Sequence, residues 1–364
     1  MAYAPDPLGD EPVLEPATWR AVTRASRAIA KLDQASRQVP NPSLLLQPTL
    51  RREAQSTSAL EGTFAPMEDV LAADAAEPMR NEALTEVMNY VAAASRAFEW
   101  ISKYGALSVS LIENVHGVLV KGTKSETVDA GRFRTCQVAI GSSNGSVESA
   151  RFVPIPPGVE LEASIRDLVD WINPTKDREP LIAAAMAHYQ FESLHPFNDG
   201  NGRIGRLLIV LQLMIDGEIS EPLLSVSPWF EARRVEYQEH LAEVSATGDW
   251  NPWVRFFSAG IEASAIDTAQ RIDRMLDIQE DYRARLQGAK IRGGLARDIV
   301  DILISSPYVT VPSLARRFGK SQQGVDLAVQ KLVDLKILTG PHGTYNRMFM
   351  ANDIYLAIVD PVQS

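Results

Sequence analysis

The stretch LHPFNDGNGRIGR, residues 194–206, constrains this chain most because of what flanks it. Before it runs LIAAAMAHYQFESL and after it LLIVLQLMID, both apolar around most of a helical circumference. Helices of that kind are central and buried. The chain must therefore place a polar, glycine-rich turn inside its own core. Pro180 stands at a helical first turn and opens the first helix, and Gly217 closes the second. If the second helix starts near Asn201, the amides of Gly200, Asn201 and Gly202 lie at its N-terminus. Backbone donors there have no intrahelical acceptor and favour an anion, and glycine lets a phosphate approach the backbone closely. Arg203 and Arg206 are three apart and project from one side, and two guanidinium groups beside an amide nest suit a polyphosphate. Asp199 is placed to hold a divalent cation that bridges phosphate oxygens. His195 can take a proton near neutral pH. Cradle, metal ligand, clamps and base together are equipment for phosphorus-centred transfer to a hydroxyl.

The rest of the chain limits where such chemistry can operate. Its 364 residues allow two or three domains, and 45% hydrophobic with 23% charged residues is a soluble globular balance. A net charge of −10 argues against wrapping nucleic acid or lying on an anionic membrane, yet leaves room for one basic patch. The single cysteine, Cys136, excludes an internal disulfide and a multi-cysteine metal site. Its expected place is in the core, as a small apolar residue. The opening MAYAPDPLGDEPVLEP has neither the basic start nor the apolar core of a secretory signal. No apolar run is long enough to span a bilayer. The expectation is a cytoplasmic protein without a membrane partner.

Along the chain, residues 1–16 should be irregular or docked on the surface, and helices are expected at 18–38, 50–60, 79–100 and 107–120. The proline-bounded 40–48 stretch reads as an extended connector. Two β-prone stretches, 135–140 and 150–155, flank an Asn-Gly signal and predict a β-hairpin. Further helices are expected at 159–171, 231–245 and 250–263, with a polar connecting helix at 267–287. The tail predicts helices at 295–304, 311–318 and 322–335, then two strands around a Gly-Pro-His-Gly turn, the pattern of a winged helix-turn-helix. Arg316, Arg317, Lys320 and Arg347 could meet phosphates there. The third helix region balances Lys331 and Lys336 against Asp326 and Asp334, so DNA and protein contacts both stay open for residues 291–358. A homodimer is equally open. His188 reads as a structural core histidine, and His116, His240 and His342 have no partner pattern.

LHPFNDGNGRIGR resembles the signature of Fic domains, His-Pro-Phe-x-(Asp/Glu)-Gly-Asn-Gly-Arg-x-x-Arg, with every defined position present. AGRFRTCQVAIG (130–141), HYQFESLHPF (188–197), EYQEHL, GDWNPWVRFF and PNPSLLLQPTLRREAQSTSALEGT (40–63) resemble further Fic segments. The resemblance implies a mainly α protein with a Fic-type helical core, a β-hairpin flap and a C-terminal winged helix-turn-helix. It divides the chain into an N-terminal helical region (1–110), a catalytic core (111–265) with its flap at 135–155, a connecting helix (266–290) and the winged helix (291–364). It further implies a protein adenylyltransferase that moves AMP from ATP to a Ser, Thr or Tyr hydroxyl of a target protein or of itself.

In that scheme His195 is the general base and Asp199 binds Mg²⁺. The Gly200, Asn201 and Gly202 cradle holds the α- and β-phosphates, with Ile204 and Gly205 in the same nucleotide-binding loop. Arg203 clamps the phosphate chain and Arg206 the γ-phosphate. Gly202 stands where the related Doc-type toxins, which phosphorylate, carry lysine. Thr57-Ser58-Ala59-Leu60-Glu61-Gly62 resembles the family's inhibitory motif, which implies that Glu61 pairs with Arg206 and bars the γ-phosphate. Val153, on the 150–154 edge, is the expected flap contact. Tyr237 occupies the first of two positions near the nucleotide base that are often aromatic, while Gln238 departs from the pattern. Two alternatives remain: the same site removing AMP, or a DNA-binding regulator that only senses nucleotide. The intact His195 favours an enzyme, because a sensor needs no base.

Overall fold

The computed structural model describes residues 2–39, 41–75, 81–141, 149–173, 178–291, 293–342 and 347–360. Capping residues and apolar spacing account for most of its helices. The N-terminal half carries α1 (Pro16–Gln38), α2 (Ser43–Leu60), α3 (Met67–Ala72), α4 (Glu82–Tyr104) and α5 (Val109–Leu119). Asn81 accepts the amides of Ala83 and Leu84 to start α4, and Gly105 ends it in the left-handed region. Ser108 caps α5 in the same way. The centre consists of α6 (Val159–Ile172), α7 (Pro180–Leu194), α8 (Asn201–Ile215), α9 (Ser227–Glu231) and α10 (Arg234–Thr247). A single helix, α11 (Asn251–Gly288), leads to α12 (Leu295–Ile302), β1 (Tyr308–Thr310), α13 (Val311–Phe318), α14 (Gln322–Asp334), β2 (Thr339–His342), β3 (Met348–Met350) and α15 (Asn352–Val359). The strands form one antiparallel sheet in the order β1-β3-β2. No described helix is long and apolar enough to cross a membrane.

Helices α7 and α8 pack side by side in the middle, and nearly every residue of α7 is buried. Beside them α4 packs on α5, and α2 lies across α4 and α9. This arrangement sets the 195–200 turn at the junction of α2, α4, α5 and the 130–155 segment.

Four expectations change. The 40–48 connector is helical from Ser43, and Pro48 sits inside α2. Burial of Leu45, Pro48 and Leu50 outweighs the hydrogen bond that a proline cannot donate. The 250–263 helix and the 267–287 connector are one helix, because Ile261, Ala265, Thr268, Ile272 and Met275 continue a single buried stripe against α1. Residues 266–286 thus keep one face packed, while 287–290 are exposed. Among the described residues the 135–155 hairpin is represented by one antiparallel bridge between Ile140 and Phe152; its Asn-Gly turn lies outside them. Helix α15 and strand β1 were not expected.

Candidate active site

At the end of α7 the chain reverses at His195, whose backbone is left-handed (φ 49°) and whose amide still bonds the Phe191 carbonyl at 3.0 Å. The loop beyond it is fastened from beneath. Phe197 is fully buried and stacks on His116, with ring centroids 3.9 Å apart and planes 10° apart. The Asn201 side chain returns to Phe197, accepting its N–H at 2.9 Å and donating to its carbonyl at 2.8 Å. His116 Nδ1 accepts the Gly131 amide at 3.0 Å, so Nε2–H donates to the Asp199 carbonyl at 3.2 Å. Helix α8 then starts from Gly200 (φ 83°), and its first-turn amides at 201–203 have no intrahelical acceptor.

Arg134 ties this loop to the flap. It is buried, donates to the His195 carbonyl at 2.9 Å and the Cys136 carbonyl at 3.1 Å, and also bonds the Ile155 carbonyl. The Arg134 amide meets the Pro196 carbonyl at 2.9 Å. One guanidinium thus fixes both roots of the flap against the histidine.

The ring of His195 is held neutral. Nδ1 faces the Glu192 carbonyl at 3.3 Å and donates to it, which leaves the lone pair on Nε2. Burial lowers its pKa to about 4. Burial likewise raises the Glu192 carboxyl to about 7, with Arg206 opposing and Glu61 adding to the rise. Glu192 Oε1 has no hydrogen-bond partner among the described residues, and a Cβ on Gly205 would lie 2.3 Å from it.

Both arginines of the motif are buried, and each is already matched. Arg203 faces Glu86 of α4 at 3.4 Å and Asp199 at 3.5 Å, while Glu86 also accepts the Thr63 hydroxyl at 2.7 Å. Arg206 donates Nε–H to Thr57 Oγ1 at 2.8 Å, and Nη2–H to the Thr57 carbonyl at 3.2 Å and to Glu61 Oε1 at 2.6 Å. Burial opposes its charge, but Glu61, Tyr237 and Glu192 together outweigh that and raise its pKa. Glu61 caps the C-terminus of α2 and is one-third exposed. Its Oε1 would stand 2.2 Å from a Cβ on Gly202. The carboxylate therefore rests against the first turn of α8, where an incoming anion would sit.

Asp199 is half-exposed; Ser125 donates to its Oδ2 and the Gly200 amide to its Oδ1 at 2.6 Å. Burial opposes its ionisation, but these donors and Arg203 hold its pKa below the usual value. Among the described residues no three His, Cys, Asp or Glu side chains converge on one point. One carboxylate with a hydroxyl beside it suits Mg²⁺, which takes one or two carboxylates and completes its shell with phosphate and water oxygens.

The structure thus brings together His195, Asp199, Gly200, Gly202, Arg203, Arg206, Thr57 and Glu61. The other candidates are placed differently. Asn201 contributes its backbone, since its side chain closes the loop. Ile204 is buried, and the Gly205 carbonyl accepts from His188 Nδ1 at 2.9 Å, so both face the core and not a ligand. Tyr237 is also buried; its hydroxyl donates to His188 Nε2 at 2.7 Å, and its ring lies among Phe230 and Trp253. It packs behind Arg206 as part of the core. Val153 lies on the flap edge, where its carbonyl accepts the Tyr3 amide. Cys136 is exposed and directs its thiol at Asn198 Oδ1, 3.2 Å away, contrary to a core position. Arg134, Glu86, Ser125 and Glu192 escaped the sequence reading. Arg134, inside AGRFR, and Glu192, inside HYQFESLHPF, stood in segments already singled out.

Residues 106–213 match the family model of the Fic/DOC family, and residues 19–99 match that of the Fic/DOC family N-terminal region. The chain contains a Fic domain. It is homologous to proteins named protein adenylyltransferase Fic. The Caenorhabditis elegans protein adenylyltransferase fic-1 is 39% identical over 142 residues, covering 38% of this chain and 25% of the relative. The Nematostella vectensis protein adenylyltransferase Fic is 31% identical over 160 residues, covering 43% and 33%. This chain therefore spans a quarter to a third of the length of these relatives. Among solved structures, a Fic family protein from Desulfovibrio desulfuricans G20 superposes over 98% of this chain and 100% of its own, with a TM-score of 0.59 and 19% identity. Fic-1 from C. elegans superposes over 70% and 73%, with a TM-score of 0.54 and 25% identity.

Proposed function

We propose that the chain is a protein adenylyltransferase that transfers AMP from ATP to a hydroxyl of a target protein or of itself, and that Glu61 restrains it. The observation that carries this reading is the lodging of the Glu61 carboxylate between Arg206 and Gly202, beside a neutral histidine with its Nε2 lone pair free. Transfer requires the hydroxyl oxygen to bond the α-phosphorus as the α–β bridging bond breaks. The proton passes to His195 Nε2, and pyrophosphate leaves. The first-turn amides of α8 receive the phosphate oxygens, and Arg203 and Arg206 balance the charge that develops. Mg²⁺ held by Asp199 would neutralise part of the phosphate charge.

While Glu61 stays in place, Arg206 is already matched and a carboxylate occupies the anion position. A charge-assisted pair of this kind is among the stronger hydrogen bonds. Displacing it costs productive ATP binding about one to two decades. The relatives' names support the reaction, and the geometry supports the restraint.

We read α12–α14 with the β1-β3-β2 sheet as a winged helix. The outward side of α14 exposes Gln322, Gln323, Leu327 and Gln330, and Arg347 lies 3.9 Å from Asp326. A nearly neutral face with an exposed leucine favours a protein contact over a phosphate backbone. Removal of AMP by the same residues is the reverse reading, and the same experiment tests both.

Wild type, Glu61→Gly, His195→Ala and the double variant are incubated with Mg²⁺ and α-labelled ATP and then weighed intact. The expected result is a gain of one AMP in Glu61→Gly, with label at least roughly tenfold above wild type, and none in the double variant. Equal labelling of wild type and Glu61→Gly would remove the restraint. Loss of AMP from a pre-labelled sample on adding wild type would favour the reverse reaction.

A further inference from the structure

The outer edge of the flap is occupied by the chain's own N-terminal segment. Ile140 pairs with Phe152 on the inner side, so the groups of residue 153 face outward by strand alternation. The Val153 carbonyl accepts the Tyr3 amide at 2.8 Å, and Tyr3 bridges Pro154 in the parallel sense. The Tyr3 ring meets Phe152 at 5.5 Å, and its hydroxyl bonds that of Tyr189 at 2.9 Å. Further along, Gln190 donates to the Asp6 carbonyl at 2.9 Å and Trp171 to the Gly9 carbonyl at 3.0 Å. Pro5 is buried. The same edge is rooted through Ile155 and Arg134 to the carbonyl of His195.

The segment is held as an extended peptide ligand is held, by main-chain pairing at an open edge plus a pocket for alternate side chains. Most of its side chains contribute little burial: Ala2, Ala4, Asp6, Pro7, Gly9 and Asp10 are exposed, Tyr3 and Leu8 are half-buried, and Pro5 is buried. A stretch with few buried apolar contacts opens locally at low cost. Prolines at 5 and 7 also keep it extended without ladder donors of their own.

We propose that residues 3–9 are a built-in competitor at the target-docking edge. A target presents an extended segment with an aromatic residue at the Tyr3 place and an apolar residue at the Pro5 place, and it must displace them. The chemistry after docking rests on the transferase reading, but the docking itself needs no nucleotide. The competitor adds a second restraint, on the acceptor side, to the one that Glu61 places on the donor side.

The probe is a fluorescein-labelled peptide of residues 2–11, AYAPDPLGDE, followed by anisotropy without ATP. A chain lacking residues 2–11, shown folded by circular dichroism, should bind it at least roughly tenfold more tightly than the intact chain. Peptide with Tyr3→Pro, which lacks both amide hydrogen and ring, should lose that binding. If the truncation unfolds, the intact chain carrying Tyr3→Pro takes its place and should bind the unaltered peptide more tightly than wild type. No binding by either folded variant, or equal binding by wild type, overturns the proposal. In the Glu61→Gly background the peptide should also suppress AMP transfer to casein by the truncated chain, and undiminished transfer counts against competition. Blank transfer with intact peptide binding counts against the transferase reading alone.

Discussion

At the residue scale the site depends on what is missing from Gly202 as much as on any side chain. A Cβ there would lie 2.9 and 3.1 Å from the two terminal nitrogens of Arg206 and inside the position held by Glu61 Oε1. Freeing the position of Glu61 does not make room for that methyl group beside a phosphate. Gly202→Ala, made in the Glu61→Gly background, should weaken ATP binding by roughly tenfold or more by calorimetry, with the melting temperature little changed. The histidine makes a second prediction. Burial holds His195 neutral, so its imidazole carbon signal should titrate near pH 4. A folded pKa below the ordinary value of about 6.5 means that the unfolded chain binds the proton first. Stability from this residue is therefore present above the ordinary value and lost as pH falls through about 4. A midpoint near 6.5 would contradict the burial. These residues were legible because a contiguous motif carries its spacing in the sequence. Glu86 and Glu192 were not, since Glu86 meets Arg203, and Glu192 comes within the field of Arg206, through packing between helices that no periodicity reveals.

At the element scale the flap depends on one guanidinium. Arg134 reaches the carbonyls of His195, Cys136 and Ile155, so the histidine, the start of the flap and its return all share one donor. Arg134→Met keeps much of the side-chain volume and removes every donor. It should cost about 1–3 kcal/mol of stability, measured by urea unfolding. Transfer in the Glu61→Gly background should fall by roughly a hundredfold, as expected when the base and acceptor edge drift by an ångström. A loss of stability with transfer intact would reduce Arg134 to a structural staple. The elements show where sequence periodicity succeeds and fails. The strongly apolar α7 and α8 emerge with bounds close to those expected. Pro48 misled because local propensity argued for an extended connector where tertiary burial made a helix. For the 135–155 hairpin, the described residues show one bridge, between Ile140 and Phe152, and the outer edge pairs with residue 3, a partner that local alternation could not announce.

At the scale of the whole molecule, the helix that ends at Glu61 is anchored at a distance from the site. Arg51 of α2 donates to the Val70 and Leu71 carbonyls at 3.0 Å each, closing the end of α3. Its neighbour Arg52 bonds Asp267 of α11 at 2.7 Å. Asp267 also pairs with Arg271, whose Nη1 donates to the Ala357 and Ile358 carbonyls at the end of α15 at 3.0 and 2.9 Å. A single carboxylate thus lies between two guanidinium groups and links α2, α11 and the C-terminal module. Burial, then Arg271, already lower the Arg52 pKa, so the pair depends on Asp267 for its balance. Asp267→Asn leaves two facing cations without their anion, and removing one partner of such a partly buried group is destabilising locally. Hydrogen exchange should quicken by roughly tenfold in both 43–60 and 352–359. If the C-terminal module steadies the restraint through this link, AMP transfer with Glu61 intact should rise by roughly three- to tenfold, while the Glu61→Gly chain, already released, should not respond. Faster exchange confined to 352–359, with transfer unchanged, would show that the link holds α15 without bearing on Glu61.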